Sequence, residues 1–126
     1  MSERLRGVVV AHADLASALV DAAAAIAGDD TGLVPVSNAG CDRAGLAQRL
    51  EAAAGAGPVL VFADLAGGSC TTVAATLARG RPDLRVVTGV NLAMLLEFAF
   101  HRDEPLEAAA ERAATAGRAA VREVGG

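Results

Sequence analysis

Four short runs rich in β-branched residues, RGVVVA (6–11), GLVPVS (32–37), PVLVFAD (58–64) and LRVVT (84–88), alternate with longer alanine-rich segments at helical spacing. Strands with almost no polar residues are buried on both faces. Joined by helices, they make a parallel sheet with right-handed crossovers. After Asp14, the residues Leu15, Leu19, Ala22 and Ile26 mark the inward face of a first helix that Gly28 stops. CDRAGLAQRLEAAAGAG supplies a second helix with Leu46, Leu50 and Ala53 inward, and GGSCTTVAATLARGRP a third that ends at Gly80 and Pro82. NLAMLLEFAF is a fourth helix capped by Asn91, and EPLEAAAERAATA a fifth with Pro105 near its first position. The tail GRAAVREVGG either extends that helix or forms a short strand.

At 126 residues the chain is one domain, 1–126, without an internal linker or repeat. Two strand orders are open to it: a flavodoxin-like 2-1-3-4 and a Rossmann-like 3-2-1-4. Pro35 cannot donate to a ladder, so it suits a second strand at the edge and predicts the first order. Strands 1 and 3 then lie side by side, and ligands of open α/β sheets bind at that reversal point, outside the carboxyl ends of the strands. His12 ends the first strand and Asp64 the third, so they should meet.

Composition excludes several alternatives. Fifteen acidic residues outweigh 11 basic ones, and the basic residues are all arginine, scattered without a run, which is no footprint for nucleic acid. Cys41 and Cys70 are too few for a disulfide framework and lack the spacing of a metal or redox motif, so free thiols are expected, with neither metal nor cofactor. Charged Glu3, Arg4 and Arg6 precede only a short apolar run, unlike a signal peptide or a membrane span, which predicts a soluble cytoplasmic protein.

A carboxylate that accepts the Nδ1 proton of an imidazole fixes its tautomer and leaves a lone pair on Nε2, which makes that nitrogen a nucleophile. The loop LAGGS after Asp64 lets the backbone approach an anion and opens into a helix whose amides attract phosphate. Each residue also has a plainer reading. His12 could be a solvated strand end, Asp64 a turn cap, Gly67 and Gly68 packing residues, and Ser69 an N-cap. His101 reads as a solvated helix end, Cys70 as a small buried apolar residue, and Met94 and Phe98 as core or interface.

Three blocks, VVVAHADLASALVDAAAAIAG, VLVFADLAGGSCTTVAATLA and VVTGVNLAMLLEFAF, resemble in order and spacing the mannose-family enzyme IIA domain of the bacterial phosphoenolpyruvate:sugar phosphotransferase system. That resemblance implies a flavodoxin-like fold and a histidine phosphorylated by the carrier protein HPr, with the phosphoryl group passed to a IIB partner. It implies His12 as that histidine, Asp64 as its orienting carboxylate, and Gly67, Gly68 and Ser69 at the phosphate. Contact with a membrane would come only through the sugar permease complex. Such domains are commonly homodimers that exchange a C-terminal antiparallel strand, which would make AAVREV extended. The apolar residues of NLAMLLEFAF surround more than one face, so a partner subunit or the last helix must cover the second. Ala13 stands where many members have Gly, and Cys70 where they have Pro. The related phosphocarrier subunit of dihydroxyacetone kinase usually has a loop like DLGSA, and DLAGGS favours the sugar branch. A regulatory module on the same fold is the remaining alternative, against which the pair His12 and Asp64 counts.

Overall fold

A computed structural model describes residues 4–125. Its elements run β1 (Arg6–Ala11), α1 (Leu15–Ala27), β2 (Leu33–Ser37), α2 (Arg43–Ala54), β3 (Val59–Ala63), α3 (Ser69–Arg79), β4 (Leu84–Val87), α4 (Leu92–Phe100) and α5 (Leu106–Ala119). The sheet is parallel, in the flavodoxin-like order β2-β1-β3-β4. Pro35 sits in the edge strand β2 opposite Val9, so its missing N–H costs the sheet no central bond.

Alternation along the strands divides the core into two layers. Val9, Ala11, Leu60 and Phe62 face α1, α4 and α5, whereas Val8, Val10, Val59, Val61 and Ala63 face α2 and α3. Phe62 and Phe98 meet edge to face with ring centroids 5.5 Å apart. Phe98 comes so close to β1 that a Cβ on Gly7 would stand 2.8 Å from its ring, which is why that strand position is glycine. Asn91 caps α4 by accepting from Met94 N at 3.0 Å, and its Nδ2 donates to Gly117 O at 3.1 Å, tying α5 to the start of α4.

One expectation needs correction. The buried face of α1 is Ala16, Leu19, Val20 and Ala23, with Leu15 exposed and Ile26 60% exposed. Here Ala16 and Ala23 permit the close approach to the sheet, and Leu15 and Ile26 are turned outward. Ala23→Leu should therefore cost about 1–3 kcal/mol through overpacking, while Ile26→Ala should change stability by less than about 0.5 kcal/mol. Urea denaturation compares the two, and the reverse ranking would reject this phase of the helix.

Of the two covers open to the second face of α4, the structure has α5 of the same chain. Met94, Leu95 and Phe98 are buried, Leu92 and Leu96 half-buried, and only Phe100 remains open at 63%. The tail first extends α5 to Ala119 and then runs irregularly, with no strand among the described residues after β4.

Candidate functional site

Three segments converge at the carboxyl edge of the sheet, each one residue past the end of a strand. His12 follows β1, Asp64 follows β3, and Asn38 follows β2. Adjacent parallel strands place their next residues side by side, which brings His12 onto Asp64. The ring Nδ1 lies 2.7 Å from Asp64 Oδ2, and the same oxygen accepts from the His12 amide at 3.0 Å. Asp64 Oδ1 accepts from Leu65 N at 2.9 Å, so both carboxylate oxygens are engaged.

Burial raises the Asp64 pKa, since only 8% of its side chain is exposed, but the hydrogen bonds from the His12 ring and amide and the charge of His12 outweigh burial and hold it below its ordinary value. An ionised carboxylate can only accept. Nδ1 must then carry a proton, and a ring with that proton alone presents its lone pair at Nε2. The His12 side chain is 43% exposed, so that nitrogen is reachable from solvent.

Gly68 is the N-cap of α3 and lies against the ring: a Cβ there would stand 3.4 Å from His12 Cε1. No side chain caps the first-turn amides of α3. Ser69 is the first helical residue, not the cap, and is exposed. Gly67 is exposed, with nothing within 4 Å of an added Cβ, so packing does not require glycine there. The Thr71 hydroxyl donates to Leu65 O, and Thr72 Oγ1 donates to Gly68 O at 3.2 Å, fastening the loop to its helix.

Ala13 has φ 51, the left-handed region that glycine enters freely and alanine at a cost of about 1–2 kcal/mol. Its peptide groups are held from the end of β2: Asn38 Oδ1 accepts from Ala13 N at 3.2 Å, and Ser37 Oγ donates to Ala13 O at 2.7 Å. Arg49 Nη1 in turn donates to Ser37 O and Ala39 O, both at 2.8 Å. Ser37, Asn38 and Arg49 thus brace the bend after His12, and sequence reasoning missed all three. The turn-forming pair Ser37–Asn38 straight after a strand was the signal that could have found them.

Cys70 is fully buried, as expected, with Sγ 3.9 Å from His12 Nδ1. Burial, with the charge of Asp64 adding to it, pushes its thiol pKa up. His101 lies elsewhere. It closes α4, next to Arg102, whose carbonyl accepts from Leu5 N just before β1 begins, so it sits at the opposite end of the sheet from His12. It is half-buried, and its Nδ1 donates to Glu97 O at 2.9 Å, so it is not merely a solvated helix end.

The family model described as PTS system fructose IIA component, EIIA-man, matches residues 7–115. Among solved structures, the mannose/sorbose specific IIA subunit of the phosphotransferase system from Enterococcus faecalis is 30% identical, with TM-score 0.86, covering 97% of this chain and 96% of that one. Phosphotransferase system component EIIA from Streptococcus agalactiae shares the fold at 23% identity and TM-score 0.88, covering 94% and 96%. The PTS IIA protein associated with the fucose utilization operon from Streptococcus pneumoniae shares it at 22% identity and TM-score 0.72, covering 96% and 94%. No curated protein sequence matches the chain.

Proposed function

The chain belongs to the EIIA-man family of phosphotransferase-system IIA components, and on that premise we propose that His12 Nε2 accepts a phosphoryl group from phosphorylated HPr and passes it to a IIB partner. The observation that carries this reading is the 2.7 Å bond from His12 Nδ1 to Asp64. It fixes the single proton of the imidazole on Nδ1 and leaves the lone pair on the accessible nitrogen.

In the transfer, the Nε2 lone pair forms a new P–N bond while the P–N bond to the donor histidine breaks and its electrons return to the donor ring. His12 gains positive charge as the bond forms. Asp64 balances that charge without taking the proton. Cε1 is bonded to Nε2, so a phosphoryl group there lies toward Gly68 and the start of α3. The amides of that first turn, with Gly67, Gly68 and Ser69, hold its oxygens, a task that backbone donors perform without adding mobile charge. No helix among the described residues is long and apolar enough to cross a membrane, and the proposed carrier works in the cytoplasm, reaching the membrane only through its partners in sugar uptake. Mixing the chain with phosphoenolpyruvate, enzyme I and HPr should give acid-labile phosphate on the protein, and added IIB should remove it. A chain that stays unlabelled rejects the acceptor role.

The functional unit we propose is a homodimer. With α5 covering α4, support comes from the family and from β4, whose outer edge pairs with no strand among the described residues. A groove of about 460 Å³ runs beside that edge, walled by Val86, Val87, Gly117 and Val121, and the tail residues Val121 and Val124 are exposed. An extended tail from a second copy would pair its backbone with β4 and fill the groove. Light scattering at micromolar concentration should give twice the monomer mass, and removal of residues 121–126 should give monomers. A monomeric full chain rejects the dimer, and an unchanged dimer of the shortened chain rejects strand exchange.

A further inference from the structure

We propose that His12, Asp64 and Cys70 form a three-ligand site for zinc, whose binding silences His12 as a phosphoryl acceptor. The silencing rests on the acceptor reading above; the metal site does not. One imidazole nitrogen, one carboxylate oxygen and one sulfur, all within 4.8 Å of one another, are brought together from the ends of β1 and β3 and the first turn of α3. Tetrahedral zinc, with bonds near 2.0 Å to nitrogen or oxygen and 2.3 Å to sulfur, sets its donors roughly 3.3–3.6 Å apart. Two of the observed separations fall on either side of that spacing, 2.7 Å from Nδ1 to Oδ2 and 3.9 Å from Nδ1 to Sγ, and none of the three exceeds 4.8 Å. Rotation of the three side chains toward their common centre would admit the ion.

The donor chemistry selects the metal. A mixed nitrogen, oxygen and sulfur set suits zinc, whereas magnesium and calcium demand six or more oxygens. Cys41 is the other thiol on this side of the sheet, and its Sγ donates instead to Asn38 O at 3.3 Å.

Metal on Nδ1 reverses the tautomer. The single ring proton moves to Nε2, where it occupies the lone pair that phosphoryl transfer needs, and Cys70 releases its thiol proton to solvent as the metal–sulfur bond forms. A phosphoryl group on Nε2 conversely keeps the proton on Nδ1, bonded to Asp64. Each state excludes the other.

Cobalt(II) is the probe, because a tetrahedral cobalt thiolate has intense visible bands and a sulfur-to-cobalt charge-transfer band in the near ultraviolet. Titration of the reduced, metal-free chain should produce both bands at one equivalent, and zinc should bleach them. Cys41→Ala should keep the spectrum and Cys70→Ala should lose it; Cys70→Ser, which also lacks the thiolate, gives the same reading should the alanine variant fold poorly. Absent bands, or bands that persist without Cys70, overturn the site. Stoichiometric zinc should lower labelling of the wild-type chain by phosphorylated HPr at least tenfold, while labelling of Cys70→Ala with and without zinc should be equal. Undiminished labelling of the zinc-loaded chain overturns the silencing. A chain that no donor labels even without zinc rejects the acceptor reading, and the cobalt spectrum still decides the metal site.

Discussion

His12→Ala abolishes phosphoryl acceptance and leaves the domain folded. The side chain is nearly half exposed and lies beyond the end of β1, so its loss opens no core cavity. Asp64 keeps the amides of residues 12 and 65 as donors and loses only the ring N–H, at a stability cost of about 1–3 kcal/mol. No second group can take over the chemistry at this edge of the sheet. The remaining histidine, His101, sits at the far end with Nδ1 committed to the Glu97 carbonyl. Labelling should fall below detection while circular dichroism still reports a cooperative melt. Persistent label on a folded variant would place the acceptor elsewhere.

Asp64→Asn slows transfer by a factor on the order of 10² or more, by the logic of orienting carboxylates. The amide has one oxygen for two sets of donors. If that oxygen serves the amide and ring of His12, the NH₂ group faces the Leu65 N–H; if it serves Leu65, the NH₂ group faces His12 and favours the tautomer with its proton on Nε2. In either orientation the negative charge that offsets the developing imidazolium is gone. Single-turnover transfer from phosphorylated HPr measures the effect, and equal rates in wild type and variant would remove this role from Asp64. The variant also carries a signature in stability. The folded pKa of Asp64 lies below its ordinary 3.8, so the carboxylate stabilises the fold fully above that value and the benefit is lost as pH falls through the lower, folded one. The stability gap between wild type and Asp64→Asn should therefore shrink in acid below 3.8.

The meeting of His12 and Asp64 was legible because sheet order follows from few alternatives. A proline in the second run selects the order in which strands 1 and 3 are neighbours, and neighbouring parallel strands deliver their next residues to one place. Helix α1 was legible in extent but not in phase. In a segment as rich in alanine as LASALVDAAAAIA, size stops marking the buried side, because a helix lying close to its sheet buries Ala16 and Ala23 and sends Leu15 and Ile26 outward. The brace of Ser37, Asn38 and Arg49 escaped notice since its bonds run across the sheet edge to the backbone of Ala13 and of the turn itself. Cys70 was read as core, which it is, but its approach to His12 depends on where the first turn of α3 lands.

Ala13 and Cys70 shape the site in different ways. Ala13 holds a left-handed backbone, and the strain of that bend after the histidine is borne by the bonds from Ser37 and Asn38. Cys70 puts a thiol within reach of the ring.

Phosphorus-31 and nitrogen-15 NMR of the chain labelled through phosphorylated HPr reads out which histidine, and which of its nitrogens, carries the phosphoryl group. The hydrogen bond from Nδ1 to Asp64 predicts a single phosphohistidine with phosphorus coupled to Nε2 of His12. Phosphorus on Nδ1 of His12, or on His101, would contradict the account.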